Sequence, residues 1–594
     1  MSHFVKSWGA EPVGDGRWRF RLWAPGAETM GLVLEGDRHG MDKSGDGWFE
    51  AELTAEAGAS YAFAPPEGSG QVPDPAARAQ AGDVHGPSRL IDPRAYSWQS
   101  DWRGRAWEET VLYELHTGTF SRSGDFDGVR RHLDHLAGIG VTAVELCPVA
   151  QFSGDRGWGY DGVLLYAPHV AYGGPDGLKR LVDAAHEQDL MVFLDVVYNH
   201  FGPDGSYLHA YAPEFFHEEI HTPWGAGIAF EKRPVRDFFI DNALYWLDEY
   251  RFDGLRLDAV DQIDDPSDEP ILMELARVVR EHGFERPVHL TTEDDRNVTF
   301  LHARDERGRA TLYHGEWNDD FHHVAHVLAT HETEGYYFDY AKDAREDMMI
   351  ALRDGYVQQG RPSPFRDWQP RGESSAHLPP TAFVNFLQNH DQTGNRAFGE
   401  RLTTLAEPEA VRVLTAVLLL SPMIPLLFMG EEWGETRPFQ FFTDFHGELA
   451  QAVREGRRRE FSSWPQFADE ELRETIPDPN DEQTFLASKL DWSAHEGAAG
   501  RRRMALVREL LAVRAKEIVP RLAGMTAMNA SVAVHGMRGV EASWTLGDGS
   551  RLAMLANLGG KPFRAEIGGR EIFANGDHGE DPWAIQVTLE DGAA

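Results

Sequence analysis

The stretch FDGLRLDAV, residues 252–260, predicts a short apolar strand that carries an arginine and a carboxylate two residues apart. Because side chains on a strand alternate between its two faces, Arg256 and Asp258 point to the same side. A guanidinium beside a carboxylate favours the ionised form of that carboxylate. A fixed, ionised carboxylate at the end of a strand suits a nucleophile. A structural ion pair at the strand end is the alternative interpretation.

Strand-like and helix-like segments alternate on both sides of this stretch, from about residue 110 to residue 430. VLYELH precedes DGVRRHLDHLAGIG and VTAVEL, and DGLKRLVDAAHEQD precedes LMVFLDVV. Near-continuous apolar strands separated by helices are typical of a parallel sheet with both faces covered. About eight such units fit a (β/α)8 TIM barrel better than an open doubly wound sheet. The least clear unit is the sixth, for which we predict ATLYHGEW, residues 310–317.

The regions before and after the barrel have the pattern of β domains. RWRFRLW alternates apolar residues with arginines, and SVAVHGM, LAMLANLG and IQVTL are short apolar runs near the end of the chain. We predict an N-terminal β-sandwich over residues 1–102, with Trp18 and Trp23 in its core. The barrel then covers residues 103–524, with an insert at about 431–490. A small C-terminal β domain covers residues 525–594. The fold class is therefore α/β.

Composition excludes several classes of partner. The chain has 594 residues, with 96 acidic against 57 basic side chains and a formal charge of −39. Such a charge repels nucleic acid and anionic membranes, so neither is expected as a partner. The single cysteine, Cys147, leaves no internal disulfide framework, and the first residues contain no apolar signal-peptide core. We therefore expect a cytoplasmic protein in which Cys147 is a buried apolar residue.

Four polar clusters each follow a different predicted strand of the barrel. They are DVVYNH at 195–200, GLRLDAV at 254–260, TTED at 291–294 and QNHDQ at 388–392. Each cluster alone could cap a helix or satisfy buried carbonyls. In a (β/α)8 barrel, however, the carboxyl ends of the strands form the active site. The four clusters together therefore predict one catalytic site.

Taken in order, these four clusters resemble the four sequence regions of the α-amylase superfamily of glycoside hydrolases. The resemblance implies that Asp258 is the nucleophile, that Glu293 is the general acid and then the base, and that Asp391 stabilises the transition state. Further implied positions are a residue that orients the nucleophile, two histidines that bind the attacked sugar, and an aromatic ring beneath that sugar: Arg256, His200, His390 and Tyr160.

Physical chemistry agrees with these implied roles. A retaining glycosidase needs two carboxyl groups about 5–5.5 Å apart, one ionised and one protonated. Arg256 would keep Asp258 ionised, whereas the negative charge of Asp258 and Asp391 would raise the pKa of Glu293. Glu293 could then donate a proton near neutral pH, and the configuration at the α-linkage would be retained.

Several stretches are most similar to the trehalose-releasing branch of this superfamily. They include PVAQFSGDRGWGYDGV at 148–163 and RPFQFFTDFHGELAQAVREGRRREF at 437–461. This branch hydrolyses the α-1,4 bond next to the terminal trehalose of a maltooligosyl trehalose, and it releases trehalose and a maltooligosaccharide. The resemblance also implies a pathway partner, a malto-oligosyltrehalose synthase, that makes the substrate.

A pocket for the trehalose end needs aromatic faces and planar charged groups. Candidates for this role lie on loops, where packing is the alternative interpretation: Trp224, Asp294, Arg296, Tyr337 and Phe365. We expect no cofactor and no required metal, because the segment after the third strand is short and poor in ligands.

Three other functions stay open on the sequence alone. A glycogen branching enzyme would share every catalytic residue and differ in using a sugar as acceptor. A glycan-binding scaffold built on an inactive barrel would need no acids, which the presence of Asp258, Glu293 and Asp391 disfavours. A plain α-amylase would cut chains that lack trehalose equally well.

Overall fold

The fold is built around a closed barrel of eight parallel strands. The structure is a computed structural model that describes residues 4–66, 70–222, 225–463, 467 and 469–592. In spatial order the barrel strands follow the chain, and the eighth pairs with the first. They are Leu112–Leu115, Ala143–Leu146, Met191–Val196, Gly254–Leu257, His289–Thr292, Gly315–Trp317, Phe383–Phe386 and Ile424–Phe428. Every residue of these strands is buried, which confirms the near-continuous apolar pattern and the predicted sixth strand.

Helices surround the barrel between consecutive strands. The helix Arg233–Leu244 continues into a π-helical turn, Tyr245–Glu249, directly before the fourth strand. The main helices of the layer are Leu133–Ile139, Gly174–Glu187, Arg233–Leu244, Ile271–Glu281, Asp319–Thr330, Ala344–Asp354, Pro408–Leu420 and Ala498–Val513. Short helices precede or follow them on the loops: Thr117–Phe120, Phe126–Arg130, Leu208–Tyr211, His390–Gly394, Leu402–Leu405, Glu470–Arg473 and Glu482–Ala487. A longer helix, Gly447–Glu460, belongs to the insert after the eighth strand.

The fifth strand–helix unit departs from the predicted alternation. Residues 293–314, all of which are described, contain a single 3-10 turn, Phe300–His302, and no α-helix. The chain instead passes from one strand to the next as a loop whose backbone groups pair locally, as between Arg304 and Ala310. This irregular segment begins at Glu293, in the polar cluster TTED at the end of the fifth strand.

The N-terminal region forms two four-stranded antiparallel sheets, as predicted. Their spatial orders are Gly9–Gly14, Arg17–Trp23, Trp48–Thr54, Asp42–Lys43 and Asp37–Gly40, Gly31–Leu34, Ser60–Ala64, Ser88–Arg89. Trp18 and Trp23 are 4 % and 5 % exposed, which confirms that both belong to the core. Trp8 joins this sandwich to the barrel, because its indole contacts Trp48 and Phe238 and donates to the carbonyl of Pro234.

The C-terminal region forms one five-stranded antiparallel sheet. Its spatial order is Ala530–His535, Gly539–Thr545, Arg551–Leu558, Trp583–Glu590 and Arg570–Asn575. Trp544 anchors this sheet, since its indole N–H donates to the carbonyl of Leu352, 2.9 Å away, on the helix Ala344–Asp354. Among the described helices, none has the length and apolar character needed to span a bilayer. The predicted domain boundaries remain predictions.

Asp253 directly precedes the fourth strand and fixes its start through buried hydrogen bonds. Its buried carboxylate accepts from the indole of Trp102 (2.6 Å), the imidazole of His186 (2.9 Å) and the backbone N–H of Val192 (2.9 Å). Arg286 adds an ion pair at 3.3 Å. Burial favours the neutral form of Asp253, but the surrounding donors outweigh it and lower its pKa.

We expect Asp253→Asn to destabilise the fold by about 3 kcal/mol at pH 7, because it breaks a buried ion pair and leaves Arg286 without its counter-charge. A carboxyl with a lowered folded-state pKa contributes stability above its unfolded pKa, and this contribution is lost as the pH falls through the folded pKa. The difference between parent and variant in thermal unfolding should therefore shrink in acid. Asp268→Asn, on an exposed residue, is the control; equal losses in both variants at pH 7 would contradict the assignment.

Candidate active site

Arg256 lies at the centre of a cluster of carboxylates at the carboxyl ends of the barrel strands. Its Nη1 donates to Asp195 (2.7 Å) and to Asp258 (2.8 Å), and its Nη2 donates to Glu293 (2.7 Å). The guanidinium is fully buried and lies over the ring of Trp317 at 4.2 Å. The parallel register sets Asp195 of the third strand opposite Arg256, so one cation serves acids from three neighbouring strands.

Asp258 and Glu293 are brought together by this shared cation. The two carboxylates bind the two terminal nitrogens of one planar guanidinium. The distance between their oxygens therefore cannot exceed the nitrogen–nitrogen distance of that group plus the lengths of two hydrogen bonds. This upper bound allows the ~5–5.5 Å of a retaining pair. Both acids reach the solvent, with side chains 11 % and 19 % exposed. Asn199 donates to the Asp258 carboxylate at 3.1 Å and fixes its second oxygen.

Glu293 tends to hold its proton. Burial is the largest cause that raises its pKa well above the usual range, Arg256 opposes it, and the charges of Asp258 and Asp391 add to it. Sequence reasoning attributed this shift to the neighbouring acids alone, whereas burial is the larger cause. The backbone N–H of Ala259, in a left-handed conformation with φ of 40°, donates to Glu293 at 3.0 Å.

Asp391 opens the short helix His390–Gly394 after the seventh strand. Asn389 caps this helix, because its side chain accepts from the backbone N–H of Gln392 at 2.8 Å. The Asp391 side chain is 34 % exposed, and its Oδ1 lies 3.4 Å from Nε2 of His390. Burial opposes ionisation of Asp391, but the nearby positive charge of His390 outweighs it and lowers the pKa of the acid.

Tyr160 and His200 lie beside these acids. The Tyr160 hydroxyl donates to Asp195 (2.6 Å), and its ring stacks on His390 with centroids 4.8 Å apart. The Nε2 of His200 lies 3.0 Å from the carbonyl of Tyr160, and its Nδ1 contacts the Asn199 side chain. Burial raises the pKa of Asp195 to about 6. The structure thus gathers the residues implied for the attacked sugar, whose binding roles stay predictions.

Two aromatic residues on loops, Tyr336 and Phe365, are linked to the helix of Asp391 through Gln392. The hydroxyl of Tyr336 donates to Gln392 Oε1 at 3.3 Å, and Gln392 donates in turn to Asp319 at 3.0 Å. Phe365 meets the edge of Tyr336, with centroids 6.2 Å apart, and is 52 % exposed. Phe365 belongs to a hairpin, Arg361–Ser363 with Gln369–Arg371, which is held to the loop after Glu293 by an ion pair between Arg366 and Asp295.

The other predicted trehalose-end residues differ in exposure. Asp294 is covered by Arg296, which binds both of its carboxylate oxygens, so Arg296 presents the accessible charge. Tyr337 is 1 % exposed, bonds His322 at 3.0 Å and stacks on His326, so in this conformation it supports Tyr336 and offers no face to a sugar. Trp224 lies outside the described residues. Substrate contact by these four residues stays a prediction.

The insert after the eighth strand contributes to the same rim. Phe439 stacks on Trp158 with centroids 5.4 Å apart, and Trp158 meets the edge of His390. Arg457, on the helix Gly447–Glu460, donates to the carbonyl of Gly394 at 2.8 Å. This insert therefore packs against the segment that carries Asp391 and His390 and stabilises it.

The described residues include one group with the spacing of a metal site: Glu114, Cys147 and His390. The group does not suit a metal, because the Nδ1 of His390 already bonds Glu114 and burial raises the pKa of the Cys147 thiol, away from the thiolate that metals bind. The burial of Cys147 confirms its predicted apolar character.

Four residues of the site were missed by the sequence reasoning: Glu114, Trp317, Asp319 and Gln392. Burial raises the pKa of Asp319 to about 7, and the negative charge of Asp391 adds to this shift. Glu114 had a usable signal, because a charged residue inside the otherwise apolar VLYELH must be paired when the strand is buried. Trp317 and Gln392 lie inside the quoted stretches ATLYHGEW and QNHDQ, but the sequence assigned them no role, because the side chains that they contact are distant along the chain.

Family models match two parts of the chain. The catalytic domain of alpha amylase matches residues 103–241 and 214–489. A domain of unknown function, DUF3459, matches residues 528–593.

Curated relatives align over most of the chain. A malto-oligosyltrehalose trehalohydrolase of Deinococcus radiodurans is 42 % identical over 517 residues, 86 % of this chain and 83 % of the relative. That of Saccharolobus solfataricus is 40 % identical over 484 residues, 80 % and 82 % of the two chains. A 1,4-alpha-glucan branching enzyme of Jannaschia is 32 % identical, but over 42 % of this chain.

Solved structures agree with this alignment. A protein of Salmonella typhimurium, solved as a candidate alpha amylase, superposes with a TM-score of 0.94 and 48 % identity, and covers 99 % of this chain and 100 % of its own. A pullulanase of Anoxybacillus shares the fold at a TM-score of 0.71 and 17 % identity, over 99 % and 88 % of the two chains.

Proposed function

This chain belongs to the malto-oligosyltrehalose trehalohydrolase family of α-amylase-type glycoside hydrolases, and from that premise we propose its reaction and the residues that perform it. It is a glycoside hydrolase. The proposed reaction is hydrolysis, with retention, of the α-1,4 bond next to the terminal trehalose of a maltooligosyl trehalose. The observation that carries this proposal is the guanidinium of Arg256 shared by Asp258 and Glu293.

In the first step, Glu293 donates its proton to the glycosidic oxygen as the bond to the anomeric carbon breaks. The Asp258 carboxylate attacks that carbon and forms a glycosyl ester, and trehalose leaves with the proton. Burial supports this role of Glu293, because it raises the pKa of the acid and keeps it protonated near neutral pH. Arg256 supports the role of Asp258 by compensating its negative charge.

In the second step, water enters the space left by trehalose. Glu293, now ionised, takes a proton from this water as its oxygen attacks the anomeric carbon. The ester bond breaks, Asp258 leaves as a carboxylate, and the maltooligosaccharide is released with its original α-configuration. Asp391 stays ionised beside His390 and can hold sugar hydroxyls while positive charge develops on the ring.

The preference for trehalose is proposed to come from the rim near Phe365 and Arg296. An exposed phenyl face and a partly exposed guanidinium, on two loops joined by the ion pair between Arg366 and Asp295, suit a pair of α,α-linked glucoses. A malto-oligosyltrehalose synthase is the proposed source of the substrate. A cytoplasmic location is proposed with it, supported by the single, buried cysteine.

One product assay tests this function against its rivals. Incubation with maltotriosyl trehalose should release trehalose and maltotriose, and the α-anomer of maltotriose should appear first. Maltopentaose, which has the same number of glucoses but no trehalose end, is the matched substrate and should be cut far more slowly. New α-1,6 branches would support a branching enzyme, and equal rates on the two substrates would support a plain amylase.

The rim gives a specificity prediction. We expect Phe365→Ala to raise KM for maltotriosyl trehalose about 3- to 10-fold, the effect of losing one aromatic contact, with a smaller change for maltopentaose. The ratio of kcat/KM for the two substrates should therefore fall. Phe300→Ala removes an equally exposed ring from a different loop, the one between the fifth and sixth strands, and should leave the ratio unchanged. A constant ratio in both variants would exclude Phe365 from the pocket.

A further inference from the structure

Glu114 is a buried acid whose two oxygens both bind one residue. It lies in the first barrel strand and is 1 % exposed. Its Oε2 accepts from the backbone N–H of His390 at 3.1 Å, and its Oε1 accepts from Nδ1–H of the same residue at 2.5 Å. Burying a carboxylate is costly unless charge and hydrogen bonds compensate it. The compensation here comes chiefly from His390, a residue of the catalytic rim.

The imidazole of His390 is held in one orientation. Tyr160 stacks on it, with an interplanar angle of 19°, and Trp158 meets it edge-on at 89°. With Nδ1 on Glu114, the opposite nitrogen, Nε2, points to Asp391 at 3.4 Å. An imidazole between two carboxylates can donate to both only when each nitrogen carries a proton. Glu114 thus contacts no substrate itself, but it faces the group that does.

We propose that Glu114 is a positioning residue, which keeps His390 as an imidazolium and directs its Nε2–H to Asp391 and to the sugar in the cleft. This inference rests on the proposed function, because it assigns a role within the same site. No net proton transfer is involved: His390 keeps both protons through both steps of hydrolysis. From the first strand to the cleft, the charges are then negative on Glu114, positive on His390 and negative on Asp391.

The charges around His390 favour its doubly protonated form. Burial lowers the pKa of His390, but Asp391 and Glu114 outweigh it and raise the pKa well above the usual range. Other titratable groups around the imidazole come from the first, second and third strands and the loop after the second: His116, Glu145, Cys147, Asp195 and Tyr160. Among them, burial favours the neutral forms of Glu145, Cys147 and His116.

The adjacent acid Glu145 provides a matched control. It pairs with Glu114 in the strand register, and it is equally buried. Neither of its oxygens has a hydrogen-bond partner among the described residues. Burial raises its pKa well above the usual range and favours the neutral acid, so Glu145→Gln should remove no charge. Glu114→Gln, by contrast, removes the charge that faces His390.

The experiment measures kcat against pH on maltotriosyl trehalose for the parent, E114Q, E114D and E145Q. E114Q should lose about 10- to 100-fold in kcat at pH 7, the scale of one hydrogen bond to a charged group. The alkaline limb of its profile, which is the fall of kcat at high pH, should move to lower pH by at least about one unit. The reason is that His390 in this variant loses its proton within the assay range. E114D keeps the charge and should keep the parent's alkaline limb with a lower kcat. E145Q should match the parent in both.

Each outcome decides the inference. If the alkaline limb of E114Q coincides with that of the parent, Glu114 has a structural role only and the inference is wrong. If E114Q fails to fold, E114D decides the inference. An alkaline limb of E114D displaced to lower pH would contradict the inference, and an alkaline limb at the parent's pH would support it. If the parent releases no trehalose, the proposed function fails by itself. The same four profiles on α-maltotriosyl fluoride, which needs only the sugar site, then test Glu114 separately.

Discussion

Asp258→Asn should abolish turnover, with kcat/KM for maltotriosyl trehalose lowered at least about 10⁴-fold. An amide is nearly isosteric with the carboxylate but is a very poor nucleophile, so no glycosyl ester forms. Arg256 retains two of its three carboxylate partners, Asp195 and Glu293, and the cluster should stay folded. Steady-state release of trehalose, followed by chromatography, measures the loss.

Asp264→Asn is the control for this variant. It makes the same substitution on an exposed residue six positions further along the chain, and its kcat/KM should equal that of the parent. Thermal unfolding of both variants tests whether the fold is intact. Turnover by Asp258→Asn within 100-fold of the parent, as a rough bound on what a positioning group contributes, would remove Asp258 from the nucleophilic role.

Glu293→Gln should lose about 10²- to 10⁴-fold in kcat on maltotriosyl trehalose, the range expected for a general acid. The loss comes from the leaving oxygen, which departs without a proton. In the parent, the raised pKa of Glu293 keeps the acid protonated near neutral pH, and activity should fall at alkaline pH as this proton is lost. The glutamine variant should lack that alkaline limb, because its amide does not titrate.

A substrate with a good leaving group separates the two acids. On α-maltotriosyl fluoride the first step needs no proton, so Glu293→Gln should form the glycosyl ester and release a burst of fluoride equal to the enzyme present. Slow turnover should follow, because Glu293 also activates the water of the second step. Asp258→Asn should show no burst. Glu306→Gln, on an exposed residue, should behave as the parent. A burst in Asp258→Asn and none in Glu293→Gln would reverse our assignments.

Much of the barrel was predictable because its signals are local. Apolar runs of strand length, separated by helical patterns, predicted the barrel, and the sixth strand was confirmed at Gly315–Trp317. The missing helix in the fifth unit was not predicted. Within residues 293–314 backbone groups bond in short-range turns and loops, as between Thr311 and Ala303 and between Tyr313 and Leu301. The catalytic acids were predicted through their motifs, whereas Tyr337 and Phe365 had equal standing until burial separated them.

The sequence by itself determined the strand order, the charges at the strand ends and the family, because these depend on residue type and spacing along the chain. Only the tertiary structure decided which charges share a partner. Arg256 binds acids from three strands, and Glu114 of the first strand binds His390, 276 residues away. The protonation of Glu293 follows mainly from burial, and burial is a property of all the chain packed around the group.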